Sequence, residues 1–277
     1  MVILAYGFLI LTGLIAGVLG GLLGIGGSVV MIPAMVAIFS GLTGRAETIH
    51  QYQAAAMIVN FLLIGPSVLR HARAKAIYFG VWRWLAPAAL VGIVAGVAVS
   101  RLGVFTGANE GYMRAVFGAF LLYVAGYNVW KLFAKRREGI DRAAADRLAW
   151  WKKIGVGLPM GFSAGLLGIG GGALAVPAQQ VVLRIPLRGA IATSAATILT
   201  IAWLGAIVKN VSLGADGTVL RSFQLAVCLA PTAMIGSYIG GHLTHALPLR
   251  IVRCAFIALM LVAAWKMLTA GIGMLAG

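Results

Sequence analysis

Two glycine-rich segments contain the residues whose types and spacing are suited to ligand binding. Gly21–Gly27 reads Gly-Leu-Leu-Gly-Ile-Gly-Gly, and the same letters return at Gly165–Gly171. A proline follows each copy, at Pro33 and Pro177. Glycines adopt positive φ angles and leave the amides at a helix start open, and such amides attract anions together with the positive end of the helix dipole. The pattern predicts two anion-binding turns.

Polar side chains near the turns complete the predicted site. Proline removes a backbone donor, so Pro33 and Pro177, with Gly24 and Gly168, are predicted to shape broken helices. Close helix packing is the alternative role for the glycines, and capping or interhelical hydrogen bonding is the alternative for the polar residues, Asn60 included. The predicted substrate contacts are Gly26, Gly27, Ser28, Gln53, Gly170, Gly171, Gly172, Gln179, Thr193 and Ser194.

The composition indicates that these turns lie in an integral membrane protein. Hydrophobic residues make up 61% of the chain and charged residues 10%, with a mean hydropathy of +1.00. Soluble domains usually carry about 25% charged residues. A helix needs about 20 apolar residues to span a bilayer. The runs that meet or approach this length are 51–69, 84–100, 115–130, 192–208, 224–241 and 254–270.

The chain is predicted to be built twice, as an all-α protein of two repeats with about five hydrophobic segments each. Segments 28–40 and 172–183, beside the glycines, are too short to cross a bilayer and read as half-helices. We expect the two turns to meet near the bilayer centre; re-entrant hairpins and full crossings both remain open. The predicted units are a first repeat, 1–134, a basic linker, 135–153, and a second repeat, 154–277.

Basic residues predict that the two repeats have opposite orientations, since short cytoplasmic loops collect Lys and Arg. Arg70, Arg73, Lys75 and Arg83 flank the connection after the third segment, whereas only Lys209 and Arg221 flank its counterpart in the second half. With the basic linker also inside, both termini are predicted outside. Basic flanks on an anionic inner leaflet account for the net charge of +16, so no nucleic-acid partner is expected.

The placement of acidic residues favours an anion over a cation as the ligand. All six acids, Glu47, Glu110, Glu138, Asp141, Asp146 and Asp216, fall in predicted connections. Cation transporters usually keep such groups in their spans. His50 is the predicted site of proton coupling, if protons are coupled. No metal or other cofactor is expected.

Two other functions remain open at this level. An anion channel fits the same residues, although duplication favours a carrier, because two inverted halves can rock around a fixed site. A membrane enzyme acting on lipid phosphate would need an embedded acid, base or metal cluster, and the sequence offers none.

Several motifs resemble those of the TauE/SafE sulfite exporter family, also called the TSUP permeases. They are the paired Leu-Leu-Gly-Ile-Gly-Gly turns with their prolines, Ala192-Thr193-Ser194, and His71-Ala72-Arg73. The first half departs from this pattern, since Gln53-Ala54 stands where Thr193-Ser194 would have a counterpart. The resemblance covers nearly the whole chain. It implies a carrier in the bacterial inner membrane for a small anion such as sulfite, a sulfonate or sulfoacetate, and leaves flux direction and oligomeric state open.

Overall fold

The computed structural model describes residues 2–44, 47–133, 139–246 and 249–276, and helices are the only regular elements among them. A π-helical turn, Phe39–Thr43, extends the second helix, and short 3-10 turns occupy Gly107–Asn109 and Gly214–Asp216. The α-helices are α1 (Val2–Leu23), α2 (Ser28–Ile38), α3 (Ile49–Arg73), α4 (Phe79–Ser100), α5 (Glu110–Phe133), α6 (Arg142–Arg147), α7 (Trp150–Leu167), α8 (Gly172–Val182), α9 (Leu187–Val211), α10 (Val219–Ala246) and α11 (Leu249–Ala276).

Seven helices in the described part of the chain are long and apolar enough to span a membrane: α1, α3, α4, α5, α9, α10 and α11. Each of the six spans predicted from the sequence lies within one of them, which confirms an all-helical membrane protein. By contrast, α2 and α8 contain 11 residues each. At about 1.5 Å per residue α8 is about 16 Å long, half the thickness of the hydrocarbon core, and the π-helical turn Phe39–Thr43 makes the helical segment that begins with α2 longer.

Two helix pairs pack through stripes of glycine. The pairs are α1 with α10 and α7 with α4. In each pair the residue numbers of facing positions increase in the same direction, so the two helices are parallel. Close approach of backbones at small residues is a usual basis of helix association in membranes. Facing partners are Gly13, Gly17 and Gly21 of α1 with Leu229, Ala233 and Ser237 of α10, and Gly157, Gly161 and Gly165 of α7 with Leu85, Ala89 and Ile93 of α4.

We expect Gly161→Val to destabilise the protein, because a Cβ at this position would lie 2.7 Å from the Ala89 Cα. Overpacking of this kind typically costs about 1–3 kcal/mol. The check is the melting temperature of the detergent-purified variant. Gly155→Val on the same helix is the matched control, since nothing lies within 4 Å of its Cβ position. Equal melting temperatures for the two variants would contradict the close contact between α4 and α7.

Corresponding helices of the two halves run antiparallel where they touch. Asn210, at the end of α9, donates to the Ala54 carbonyl near the start of α3 at 3.4 Å. At the other end, the Tyr78 amide, just beyond α3, donates to Thr193 Oγ1 near the start of α9 at 3.0 Å. Inverted repeats require such antiparallel contacts. The inverted arrangement and the proposed domain boundaries stay predictions.

Three ion pairs lie at the end of the bundle where α3 begins; two of them involve the connections, and the third, Arg114–Glu110, lies within α5. They are Arg221–Glu47 and Arg101–Asp216, both at 2.5 Å, and Arg114–Glu110 at 2.7 Å. The prediction that every acid lies in a connection is wrong for Glu110. Its carboxylate is buried in the first turn of α5, where Oε1 also accepts from the Ile49 amide at 2.8 Å.

The basic linker is described only in part. Residues 134–138, with Lys135, Arg136, Arg137 and Glu138, lie outside the described residues, as do Arg45 and the side chains of Arg250 and Arg253. Asp141 caps α6 by accepting from the Ala144 amide at 2.7 Å. The last residues of the predicted linker, from Trp150, already belong to α7.

Candidate functional site

Both glycine turns adopt the backbone conformation that their sequence predicts. In the first turn, Gly24 has φ +66° and Gly26 has φ +83°. In the second turn, Gly168 and Gly170 have φ +71°, and Gly171 has φ +77°. Residues with a Cβ are strained at these angles, so glycine is needed where α1 and α7 end and the chain reverses into α2 and α8.

The two turns touch each other, as predicted from the repeated motif. A Cβ added to Gly172 would lie 2.7 Å from the Ile25 Cα and 2.9 Å from the Gly24 carbonyl oxygen. A Cβ on Gly26 would lie 3.5 Å from the carbonyl oxygen of Ile169. The backbones of the two turns therefore leave no room for side chains between them, and the short helices α2 and α8 begin side by side.

Asn60 of α3 lies between the two turns. Its Oδ1 accepts from the Gly27 amide at 3.1 Å, and its Nδ2 donates to Ser28 Oγ at 2.6 Å. The same Nδ2 is 2.9 Å from the Cβ position of Gly170. Only 1% of Asn60 is exposed. This side chain caps α2 from a neighbouring helix and contacts the second turn at the same time.

The second turn lacks such a cap. Among the described residues no group accepts from the amides of Gly171 or Gly172, the positions at which α8 begins. Amides at a helix start have no intrahelical acceptor, and buried amides need one. The amides at the start of α8 therefore lack an acceptor in the described part of the chain, whereas the Gly27 amide at α2 donates to Asn60.

Gln53 lies beside the second turn. Its Cβ is 2.7 Å from the Cβ position of Gly168, and the side chain is fully buried. Neither its amide nitrogen nor its carbonyl oxygen has a hydrogen-bond partner among the described residues. A buried amide without partners is costly, which suits a group that serves a ligand.

Polar residues of α8 and α9 form a second group. Gln179 Nε2 donates to Ser194 Oγ at 2.7 Å, and both side chains are fully buried. Gln179 Oε1 has no partner among the described residues. Thr193 accepts from the backbone of Tyr78, a residue of the α3–α4 connection whose hydroxyl pKa is raised by burial. The structure thus pairs Gln179 with Ser194 and directs Thr193 to a backbone amide.

The remaining predicted residues divide between the turns and the end of the bundle. Pro33 and Pro177 occupy the same position in α2 and α8, and both are buried. His50 lies away from the turns, at the start of α3, where its Nε2 lies 2.8 Å from the Phe105 carbonyl oxygen. Proton coupling through His50 stays a prediction. Within the described chain no three His, Cys, Asp or Glu residues are grouped as metal ligands.

A cleft leads to the first turn from the side of the molecule where α5 ends. Tyr127 donates to Gln180 Oε1 at 3.2 Å across it. Its wall runs from Lys131, past Gln180 and Pro177, to Ile25 and Ile191. The cleft therefore lies between Ile25 of the first turn and the end of α5, where Lys131 is located.

Sequence reasoning did not single out two buried residues, Asn60 and Lys209. Asn60 was left open between a ligand contact and packing, and Lys209 was counted among the basic flanks of a connection. For Asn60 the sequence did contain a signal, because the spacing of His50, Gln53 and Asn60 places all three on one face of a helix. For Lys209 no such signal exists, since its burial depends on α4 and the connection after α9.

Comparisons with known proteins support the motif-based resemblance. A family model described as sulfite exporter TauE/SafE matches residues 9–267. The probable membrane transporter protein MamO of Paramagnetospirillum magneticum is 26% identical over 94% of this chain. The chain spans only 44% of the length of that relative.

Shorter relatives match over most of their own length. The probable membrane transporter protein YunE of Bacillus subtilis is 26% identical, and the match covers 87% of this chain and 89% of that protein. A probable membrane transporter protein of Haemophilus influenzae is 24% identical over 93% of this chain and 96% of the relative. No solved structure matches the chain.

Proposed function

The chain belongs to the sulfite exporter TauE/SafE family, and on this premise we propose that it carries a small anion across the bacterial inner membrane. Its family and its seven candidate spans make it an integral membrane protein of a transporter family. The proposed substrate class is sulfite, a sulfonate, sulfoacetate or a related organic anion. The proposed partners are this anion and the surrounding lipid.

One observation carries the proposal: two glycine turns, each opening a short helix, are in backbone contact. Their dipoles place positive ends close together, and the Gly171 and Gly172 amides at α8 have no acceptor among the described residues. An anion bound beside the turns, at the start of α8, would be attracted by the helix dipoles and would accept from these amides. Gln53, whose buried amide lacks a partner, lies at the same turn and supplies a further donor.

Alternating access is the proposed mechanism. The antiparallel contact of α3 with α9 supports two inverted halves, which can rock around a fixed central site. In the proposed orientation both termini are outside and the basic linker is cytoplasmic. Lys131, at the end of α5, then lies on the cytoplasmic side, and the ion pairs Arg221–Glu47 and Arg101–Asp216 join elements at the outer end.

A thermal-shift panel on detergent-purified protein tests the proposal. Sulfite, sulfate, thiosulfate, methanesulfonate, acetate and phosphate are compared at matched ionic strength. A ligand that binds only the folded state stabilises it by about 2.7 kcal/mol at 100 times its Kd. We expect a rise in melting temperature with a sulfur oxyanion or sulfonate, and a smaller one with the other anions.

A proteoliposome experiment separates carrier from channel. The vesicles are preloaded with unlabelled sulfite, and labelled sulfite is added outside. We expect the label to accumulate transiently inside the vesicles, because a carrier exchanges one anion for another. Conduction without exchange would indicate a channel. The absence of both binding and flux for every anion in the panel would contradict anion transport.

A further inference from the structure

Lys209 is a buried cation in the last turn of α9. Only 1% of it is exposed, and its ammonium donates to Ser100 Oγ at 2.7 Å. The Ser100 hydroxyl itself donates to the Val97 carbonyl at 2.7 Å, so it offers only its oxygen to the lysine. An ammonium has three donors, and Ser100 is the one acceptor that the described residues give it.

The charges around Lys209 do not balance. All three ion pairs in the described part of the chain are made by arginines. Asp216 lies within electrostatic range of Lys209, but Arg101 lies there too and holds the Asp216 carboxylate at 2.5 Å. Lys209 therefore adds a positive charge that no carboxylate of its own neutralises. Buried charges of this kind in membrane proteins usually serve an ion or substrate.

A second buried lysine shows what a satisfied ammonium looks like in this fold. Lys153 of α7 is also 1% exposed, yet it donates to the carbonyls of Asp146 at 2.9 Å and Gly80 at 3.3 Å. Burial alone therefore does not leave a lysine short of acceptors here. The shortage of hydrogen-bond acceptors at the Lys209 ammonium group therefore arises from the residues that surround it.

The position of Lys209 links it to the glycine turns. Asn210 contacts Ala54, which fixes the end of α9 beside the start of α3. His50 lies within electrostatic range of Lys209, and it shares a face of α3 with Gln53 and Asn60. His50 occupies the end of this face, and Gln53 and Asn60 contact the two turns. Buried atoms without partners mark this face at His50 Nδ1 and at the Gln53 amide.

We propose that Lys209 and Ser100 form a second anion-binding subsite, one helical turn outward from Gln53 on the path of the transported anion. It rests on the proposed function, and its ligand class is a small oxyanion. Oxyanion oxygens accept the two ammonium protons that Ser100 leaves unpaired, and the ligand charge offsets that of Lys209. A lysine ammonium is a compact charge with rotatable donors, which suits transient binding of an anion during transport.

The test measures the affinity of purified protein for labelled sulfite. Lys209→Gln removes the charge and keeps a donor for Ser100, so we expect the apparent Kd to rise at least tenfold. Lys153→Gln is the matched control, with an unchanged Kd. Ser100→Ala is the second variant; it keeps the charge, and we expect a rise of about threefold because the ammonium loses its anchor.

The outcomes separate the subsite from the proposed function. If Lys209→Gln and Ser100→Ala both bind sulfite with the affinity of the wild type, the proposed subsite is wrong. Sulfite binding by the wild type would still support the proposed anion transport. If Lys209→Gln does not fold, an unchanged Kd in Ser100→Ala is sufficient to overturn the subsite. A wild-type protein that binds no sulfite, sulfate or thiosulfate contradicts the proposed function, and the subsite is rejected with it.

Discussion

Replacing Gly170 with valine is expected to reduce anion transport at least a hundredfold while the protein still inserts into the membrane. Gly170 has φ +71°, and a Cβ there would lie 2.9 Å from Asn60 Nδ2. The variant strains the turn and displaces the side chain that joins both turns. Gly26 is the corresponding position in the first turn, and we expect the same result from Gly26→Val. The measurements are sulfite flux in proteoliposomes and the amount of folded protein in the membrane.

Gly126→Val controls for the substitution itself, because nothing lies within 4 Å of its Cβ position on α5. We expect near-normal flux from this variant. Should Gly170→Val lose membrane insertion as well as flux, the glycine would serve helix packing, and the anion site at the turn would lose its support.

Asn60→Asp is expected to abolish anion transport and leave the fold intact. A carboxylate keeps the acceptor for the Gly27 amide, and the Ser28 hydroxyl can donate to the second oxygen. The new negative charge lies at the start of α2 and beside the second turn, where it is stabilised by the helix dipole and competes with the substrate. We expect no sulfite-induced thermal shift and a melting temperature close to that of the wild type.

Asn60→Leu separates charge from hydrogen bonding. It leaves the Gly27 amide without its acceptor, at a cost of about 1–3 kcal/mol, so we expect a lower melting temperature and lost flux. Asn109→Asp, which makes the same charge change at an exposed position outside the candidate site, should behave as the wild type. Normal sulfite binding by Asn60→Asp would show that the anion does not approach the turns.

The spans were predictable because length and hydropathy determine which segments cross a bilayer. Their ends were not, since α3 and α9 extend beyond the apolar runs 51–69 and 192–208. The additional residues include His50 and Lys209, which are polar and yet buried. A hydropathy pattern records the residue and not its neighbours, so it assigns such positions to connections.

At the candidate site, too, some features of the turns were predictable from the sequence and others were not. Repeated glycines and prolines predicted positive φ angles and short helices, because these depend on local backbone sterics. Which amides are capped was not predictable. Gly27 and Gly171 are equivalent in sequence, but among the described residues the Gly27 amide donates to a side chain of α3 and the Gly171 amide has no acceptor.

The sequence by itself determined the membrane setting, the repeated glycine motif, the short helices and the family, because each is encoded in residue types at fixed spacing. Only the tertiary structure decided that Asn60 joins the two turns and that Lys209 is buried beside Ser100. Those contacts join helices far apart along the chain. Their geometry depends on how these helices pack against one another, and no local sequence pattern records that packing.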